Sequence, residues 1–136
     1  MNILKILTEK RRTGNIGEDA AAKYLRRHGY RILERNYAAV GAEIDIIAKN
    51  RECYVFAEVK TRTLGHMSPK EPRPASAVTP EKQRKIITTA KWFLGSVPKG
   101  RKIRFDVIEV YLTEEKKVQK ILHLENAFNY STSHNM

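Results

Sequence analysis

Four charged residues stand at alternating positions in two consecutive apolar segments. Glu43 and Asp45 are two residues apart in the run GAEIDIIA, and Glu58 and Lys60 are two apart in the run VFAEVKTR. Side chains alternate between the two faces of a strand, so each pair shares a face if these segments are strands. Carboxylates gathered with an ammonium group are typical either of a divalent-metal site or of a salt-bridge cluster. The spacing alone favours neither reading.

The polar residues between the two segments predict a β-hairpin. If Asn50 and Arg51 form a two-residue turn, Glu43 lies opposite Glu58 and all four charges project from one face. Apolar side chains occupy both faces of the same segments, which is typical of central strands covered by helices on each side. Carboxylates crowded in such a setting repel one another, and a divalent cation is the usual way to hold them together.

The size and charge of the chain indicate one compact domain with a polyanionic partner. Its 136 residues are enough for a hydrophobic core, and a formal net charge of +11 favours nucleic acid or an anionic membrane surface. Because the basic residues are distributed and interleaved with aromatic ones, we expect nucleic acid. The alternative is a soluble basic protein whose lysines only aid solubility.

Cysteine use and hydropathy point to a cytoplasmic protein without a membrane span. Cys53 is the single cysteine, so no disulfide or zinc-ligand spacing exists, and we expect a buried, reduced thiol. No apolar run approaches the roughly 18 residues of a transmembrane helix. The first residues place an apolar patch before the basic cluster, which is the wrong order for a signal peptide.

Apolar periodicity predicts one domain flanked by two short terminal segments. Residues 1–13 are expected to form a basic arm or a short helical turn, residues 14–125 the domain, and residues 126–136 a disordered tail. The prolines between Thr63 and Val78 predict a mobile loop of functional length. The other predicted elements are a helix from about Asn15 to His28 that ends at Gly29, a strand at 30–37, the hairpin, a helix that starts at Thr79-Pro80, and strands at 103–111 and 118–124.

Two polar residues fall on helix faces that should be buried. Glu18 lies within about 20° of Leu25 on a helical wheel, although as a first-turn acid it could simply complement the helix dipole. Asp19 points to solvent and satisfies that role better, so Glu18 needs another reason. Gln83 projects from the apolar stripe of the second helix, where its partner is either a backbone carbonyl or an active site.

These residue types in this arrangement suit phosphodiester hydrolysis. Asp45, Glu58 and the backbone carbonyl of Val59 could hold one Mg²⁺ or Mn²⁺, with sites left for water and a phosphate oxygen. Lys60 could orient the water or contact the phosphate, and Gln83 could help position the water. The basic residues expected to bind nucleic acid are Arg62, Lys82, Arg84 and Lys85.

The string of Asp45 followed by Glu58-Val59-Lys60 resembles the D…(D/E)-x-K core of the restriction-endonuclease-like nuclease superfamily. Five motifs also occur in an order that resembles the YraN-like uncharacterised bacterial family, over about residues 13 to 125. They are GNIGEDAAAKYL, GAEIDIIA, VFAEVKTR, TPEKQRK and RFDVIEV. That family is similar to the archaeal Holliday-junction resolvases. The resemblance implies an α/β, restriction-endonuclease-like three-layer fold, with a central mixed β-sheet flanked by α-helices.

The resemblance also assigns roles to individual residues. It marks Glu18, Asp45, Glu58 and Lys60 as the catalytic set, with Glu18 as a further metal ligand and Gln83 in second rank. Resolvase-like relatives act as dimers, which implies a homodimer. Two departures bear on access to the site. The chain has Ala42 where the family usually has glycine before the glutamate, and the loop from Leu64 to Ala77 is longer and richer in proline than expected.

We therefore expect a metal-dependent nuclease that hydrolyses DNA phosphodiester bonds, with branched or single-stranded DNA as its substrate. The first alternative is a nucleic-acid-binding module that does not cleave. The second is an interaction protein of the DNA repair or uptake machinery, in which the charge cluster serves stability. Asp106 lies in the apolar strand RFDVIEV, and we expect it to pair with an arginine of the sheet.

Overall fold

The structure, a computed structural model, describes residues 2–64, 78–95 and 100–129. Five strands form one sheet in chain order; β3 and β4 are parallel, and all other neighbours are antiparallel. The elements are α1 (Ile3–Arg27), β1 (Arg31–Ala39), β2 (Ala42–Lys49), β3 (Cys53–Thr63), α2 (Pro80–Leu94), β4 (Lys102–Leu112) and β5 (Val118–Phe128). Most of the predicted mobile loop, residues 65–77, lies outside the described residues.

The two helices cover opposite faces of the sheet. On one face Ala21 and Leu25 of α1 belong to a buried cluster with Val55 of β3 and other strand residues. On the other face Ile86 and Phe93 of α2 belong to a second buried cluster built on the same sheet. Because each helix buries one apolar stripe, the sheet is apolar on both faces. The predicted α/β fold, with a central mixed sheet flanked by helices, is confirmed.

Helix α1 begins much earlier than the sequence pattern predicted. The side chain of Asn2 caps the helix by accepting the Leu4 backbone N–H at 3.0 Å, and the helix runs on through Gly14. Residues 3–13 of this segment are therefore the first part of a continuous helix. Long unbranched side chains in this segment are good helix formers, which explains the extension. The predicted end at Gly29 is confirmed, with φ at +86°.

The hairpin register differs by two residues from the predicted one. Ile46 pairs with Ala57 and Lys49 pairs with Tyr54, so the turn spans residues 50–52. The side chain of Asn50 closes it by accepting two backbone N–H groups, at 2.9 and 2.8 Å. A shift of two preserves the alternation of faces, but it removes the expected pairing of Glu43 with Glu58.

Strands β2 and β3 separate beyond Ile46. Their pairing ends at Ile46 and Ala57, while β2 continues to pair with β1. Strict alternation along the strand predicts Ile44 and Ile47 on opposite faces, but both belong to the cluster beneath α2. The strict alternation therefore breaks near Asp45. We call this point the fork and define it by Asp45, Glu58 and Val59.

The last strand extends past the predicted end of the domain. β5 reaches Phe128, which is 2 % exposed and stacks on Phe105 with ring centroids 5.2 Å apart. The expectation of disorder from Asn126 onward is therefore wrong for residues 126–128, because the aromatic side chain gains burial against the sheet. Residues 130–136 lie outside the described residues.

Two further expectations were a buried thiol and the lack of a membrane span. Cys53 is a free, buried thiol, as predicted. Neither helix in the described ranges has the length and apolar character that crossing a bilayer requires.

Candidate active site

A cleft of about 660 Å³ opens where the fork meets helix α1. Asp45, Val59 and Lys60 lie at its base, and Glu18 faces them from the helix. A second cleft, of about 490 Å³, opens toward α2 and is lined by Asp45 and Glu58 among others. Asp45 thus contributes to both openings, which makes the fork the centre of the site.

The carboxylate of Asp45 has no ion-pair partner among the described residues that would stabilise its charged form. Its Oδ2 accepts the backbone N–H of Val59 at 2.8 Å. Burial and the neighbouring charge of Glu58 raise the pKa of Asp45 to about 7, with a smaller contribution from Glu18. A bound cation beside Asp45 would favour the ionised form of its carboxylate.

Glu58 is buried and holds two lysines. It is 7 % exposed, and its Oε1 lies 2.6 Å from the Nζ of Lys82 and 3.6 Å from that of Lys60. Burial lowers the pKa of Lys60. Burial also acts to lower the pKa of Lys82, but the hydrogen bond and charge of Glu58 outweigh it and raise that pKa. The salt-bridge alternative is therefore realised at Glu58 but not at Asp45.

Glu18 is fixed by two neighbours on β1. It is 8 % exposed, and its Oε1 accepts hydrogen bonds from Arg35 Nε at 3.1 Å and Asn36 Nδ2 at 3.0 Å. Glu18 lies well inside α1, so the helix-dipole explanation is wrong. Asp19 is exposed, as expected, and binds the same arginine at 2.7 Å. The predicted burial of Glu18 is confirmed, and its carboxylate faces the cleft.

Gln83 stands apart from the other candidate residues. It is 8 % exposed, and its Nε2 donates to the carbonyl of Val78 at 2.8 Å. The expected backbone-carbonyl partner is therefore present. Its Oε1 is buried and has no hydrogen-bond partner within the described chain. Gln83 does not line either cleft at the fork, so its part in positioning water stays a prediction.

The predicted nucleic-acid contacts have different surroundings. Lys82 and Lys85 of α2 line the smaller cleft, and Lys85 also pairs with Glu81 at 3.5 Å. Arg84 is exposed on the same helix. Arg62 follows Lys60 on β3 and is partly buried. The two lysines are thus placed beside the candidate carboxylates.

The donor set at the fork suits a hard divalent cation. Asp45 and Glu58 supply carboxylate oxygens, and Mg²⁺ commonly binds one or two carboxylates together with water and substrate phosphates. The described residues do not bring three acids, histidines or cysteines into one metal-binding cluster. The three-acid set that includes Glu18 is therefore not assembled, because Arg35 and Asn36 hold that side chain. The part of the expected ligand set that fits a divalent cation is therefore Asp45, which has no ion-pair partner, together with Glu58.

Comparison with known proteins identifies the family. The model of the uncharacterised protein family UPF0102 matches residues 17–110. The chain belongs to this family. It is 44% identical over 121 residues to a UPF0102 protein of Caldanaerobacter subterraneus, which covers 88% of this chain and 96% of the relative. It is 45% identical over 119 residues to a UPF0102 protein of Geobacter metallireducens, which covers 85% and 90%. The predicted family is confirmed, while nuclease superfamily membership stays a prediction.

The sequence did not predict Asn36 as a residue of the larger cleft, nor Glu109 as a buried acid beside Lys60 in the sheet. Asn36 lines the cleft and has a left-handed backbone, with φ at +53°. Glu109 of β4 is 3 % exposed, pairs in register with Lys60, and accepts a hydrogen bond from the hydroxyl of Tyr111. Glu109 could have been found as an acid on the same face of its strand as Phe105 and Val107. No local signal marks Asn36, because its position depends on the β1–β2 pairing.

Asp106 belongs to a separate network. It is fully buried, and Arg104 binds it through Nε at 2.9 Å and Nη2 at 2.9 Å. The expected pairing with an arginine of the sheet is confirmed. His123 Nε2 and the backbone N–H of Asn126 complete its partners, at 2.6 and 2.9 Å. Burial alone would raise the pKa of Asp106, but these hydrogen bonds outweigh it and lower that pKa.

Proposed function

We propose that this UPF0102 protein is a metal-dependent nuclease of the restriction-endonuclease-like superfamily. Its substrate is DNA, branched or single-stranded, and it acts in the cytoplasm. The observation that carries the proposal is the carboxylate of Asp45, whose pKa is raised to about 7 by burial and Glu58 at the base of an open cleft. A protein gains nothing in stability from crowding two acids in this way, so a ligand of opposite charge accounts for the arrangement.

Mg²⁺ or Mn²⁺ is the cation that the site would take. Asp45 and Glu58 would hold it, with the carbonyl of Val59 as the third protein ligand expected from the sequence. When bound, such an ion lowers the pKa of a coordinated water and polarises a phosphoryl oxygen. Glu18 would act from across the cleft through its second oxygen, since Arg35 and Asn36 occupy the first.

The reaction asks little of the protein beyond positioning and charge. In hydrolysis the oxygen of water bonds to phosphorus and one ester P–O bond breaks. Lys60 lies at the base of the larger cleft, where its ammonium would donate hydrogen bonds to a non-bridging phosphate oxygen. Lys82 lines the smaller cleft, and a bound cation would release it from Glu58 to contact a neighbouring phosphate.

A cleavage assay with one isosteric variant tests the proposal. We expect the wild type to cut branched or single-stranded DNA with Mg²⁺ or Mn²⁺, and Asp45→Asn to lose about 100-fold or more of that rate, since a catalytic charge is removed. Glu52→Gln is the matched control, because Glu52 is an exposed acid at the opposite end of the same hairpin. Equal cleavage by Asp45→Asn and wild type would overturn the mechanism.

The second candidate is a nucleic-acid-binding module that does not cleave. The contact of Lys82 with Glu58 at 2.6 Å favours it, because a lysine already neutralises one of the two acids. This candidate predicts salt-dependent DNA binding with no cleavage by any variant and no change of binding in the presence of Mn²⁺. The same preparations of protein therefore decide between the two functions.

A further inference from the structure

The first part of helix α1 extends beyond the packed body of the protein. The buried residues of this helix begin only at Gly17, although the helix begins at Ile3. Residues 3–12 are exposed except for Ile6, which is partly buried. These three turns contribute one wall of the larger cleft rather than part of the core. They need a reason for their position other than burial.

The two sides of this extension face different surroundings. At 100° per residue, Lys10, Arg11 and Gly14 lie within about 100° of one another, on the side that carries Glu18 into the site. All four of these residues line the larger cleft. Lys5 and Arg12 lie on the opposite side, where they line a separate shallow groove. Within the described chain none of these four cations forms an ion pair.

The spacing along the helix suits a nucleic-acid strand. Lys10 and Glu18 are eight residues apart, which is about 12 Å along the axis at 1.5 Å per residue. That length corresponds to about three to four nucleotides of a strand in stacked, helical geometry, which rises 3.4 Å per nucleotide. Gly14 lies between them, and a Cβ placed on it would have no heavy atom within 4 Å. The wall is therefore open between the two cations and the acid.

The charged residues of the cleft also differ in exposure. Glu18 is buried and Asp45 and Lys60 are partly buried, whereas Lys10 and Arg11 are exposed. Lys116, from the turn between β4 and β5, lines the cleft as well. The remaining acids of the lining are Glu9, which borders both grooves, Glu43 and Glu114. Lys10, Arg11 and Lys116 are the cations of this lining, besides Lys60, that could contact further phosphates of a substrate.

We propose that Lys10 and Arg11 bind the phosphate backbone of a single DNA strand along α1, on the side of the fork away from α2. This inference rests on the proposed function, because it assigns the path by which the substrate of that site enters. It adds a second contact surface to the one expected on α2. The helix then positions Glu18 and the strand together, since both lie on one side of the same element.

Two double variants with equal change of charge test the path. Lys10→Ala/Arg11→Ala removes two cations from the cleft, and Lys5→Ala/Arg12→Ala removes two from the opposite side of the same helix. Binding of a fluorescein-labelled single-stranded oligonucleotide is measured by anisotropy over a range of NaCl concentrations. For the cleft variant we expect the slope of log K against log salt to become less negative by about 1.4, since each phosphate contact contributes about −0.7. We expect less than half of that change for the control.

A variant that adds a positive charge to the cleft provides a second test, which does not depend on weakened DNA binding. Gly14→Lys places a new cation between Lys10 and Glu18 in open space, so we expect a steeper salt slope by about 0.7. Circular dichroism checks that each variant keeps the helix. We expect it to be kept, because the helix propensity of alanine is at least that of lysine and arginine, and that of lysine exceeds that of glycine.

The outcomes separate this inference from the nuclease proposal. Equal slopes for the two double variants, or no response to Gly14→Lys, would overturn the path while cleavage by the wild type still upheld the nuclease. A selective loss in the cleft variant without cleavage by any preparation would uphold the path and overturn the nuclease. Absence of DNA binding by the wild type would overturn both.

Discussion

At the scale of single residues, Asp45 combines a structural and an electrostatic role. Its carboxylate accepts the N–H of Val59 at the point where β3 has lost its pairing with β2. A buried backbone N–H without a partner costs about 1–3 kcal/mol, so this bond stabilises the fork. Its charge is at the same time disfavoured by burial and by Glu58. One side chain thus stabilises the strands and destabilises its own ionised form.

This conflict predicts an unusual dependence of stability on pH. The pKa of Asp45 is about 7 in the folded protein and 3.8 in the unfolded chain, so between these values the folded state binds more protons. Stability should therefore fall as pH rises from about 4 to about 7, by at most roughly 1.4 kcal/mol per pH unit from this group. Urea unfolding in EDTA at several pH values measures the free energy of unfolding of wild type and Asp45→Asn. Its fall between about pH 4 and pH 7 should be smaller in the variant. Glu52→Gln should keep the wild-type slope, and an unchanged slope in Asp45→Asn would contradict the assignment.

The sequence predicted the burial of the polar residues better than their partners. Glu18 and Gln83 were placed on buried helix faces by periodicity alone, and both are buried. Periodicity cannot reveal that Arg35 and Asn36 hold Glu18, because those contacts join elements through the tertiary fold. Lys82 was predicted as a contact for nucleic acid, and its approach to Glu58 depends likewise on how α2 lies over β3.

At the scale of elements, the close approach of α1 to β3 depends on Gly17. A Cβ at this position would lie 1.9 Å from the Oγ1 of Thr61 and 2.9 Å from its Cβ. The helix can therefore reach the strand only where it has no side chain. Thr61 follows Lys60 directly, so this contact also sets the distance between Glu18 and the base of the cleft.

Two alanine substitutions in the same helix should have opposite effects. Gly17→Ala should reduce the free energy of unfolding by about 1–3 kcal/mol, because overpacking forces α1 away from β3. Gly14→Ala meets no neighbour and should raise it by about 0.5–1 kcal/mol through helix propensity. Chemical denaturation of both variants checks the pair. A stabilising Gly17→Ala would contradict the described packing.

Element types were predictable, whereas their ends and registers were less so. The capping pair Thr79-Pro80 marks the start of α2 correctly, because an N-cap acts locally: Thr79 accepts the N–H of Lys82 at 3.2 Å. The hairpin register was wrong because Asn50 closes a three-residue turn, which the polar string does not distinguish from a two-residue turn. The break in alternation at Asp45 was missed because it arises where β3 stops pairing with β2 while β1 continues to pair with it, and no local pattern marks that point.

At the scale of the whole molecule, one buried acid connects parts that are distant in sequence. Asp106 of β4 binds Arg104, which reaches the hydroxyl of Tyr30 at 2.6 Å, before the start of β1. Asp106 also binds His123 of β5, whose other ring nitrogen lies 3.3 Å from the hydroxyl of Tyr24 in α1. The first helix and the last strand are therefore joined to β4 by one hydrogen-bond network.

Loss of this charge should destabilise the fold without acting on the cleft chemistry. We expect Asp106→Asn to reduce the free energy of unfolding by about 3–5 kcal/mol, since it leaves Arg104 without its buried partner. Asp19→Asn is the control, because its ion pair with Arg35 is exposed and should cost less than about 1 kcal/mol. Because the folded pKa of Asp106 is lowered, its contribution is present above pH 4 and should be lost as pH falls further. Denaturant titrations at neutral and acid pH measure both effects, and similar losses in the two variants would contradict the role of the network.

The fork separates what the main chain requires from what chemistry requires. The N–H of Val59 needs only an oxygen at the right distance, and an asparagine at position 45 offers that oxygen as well as an aspartate does. A descendant of this protein could therefore exchange one atom, lose its charge, and keep the same outline. Within the family, a shared fold would then not indicate a shared activity. The identity of one side-chain atom at position 45 would indicate it better.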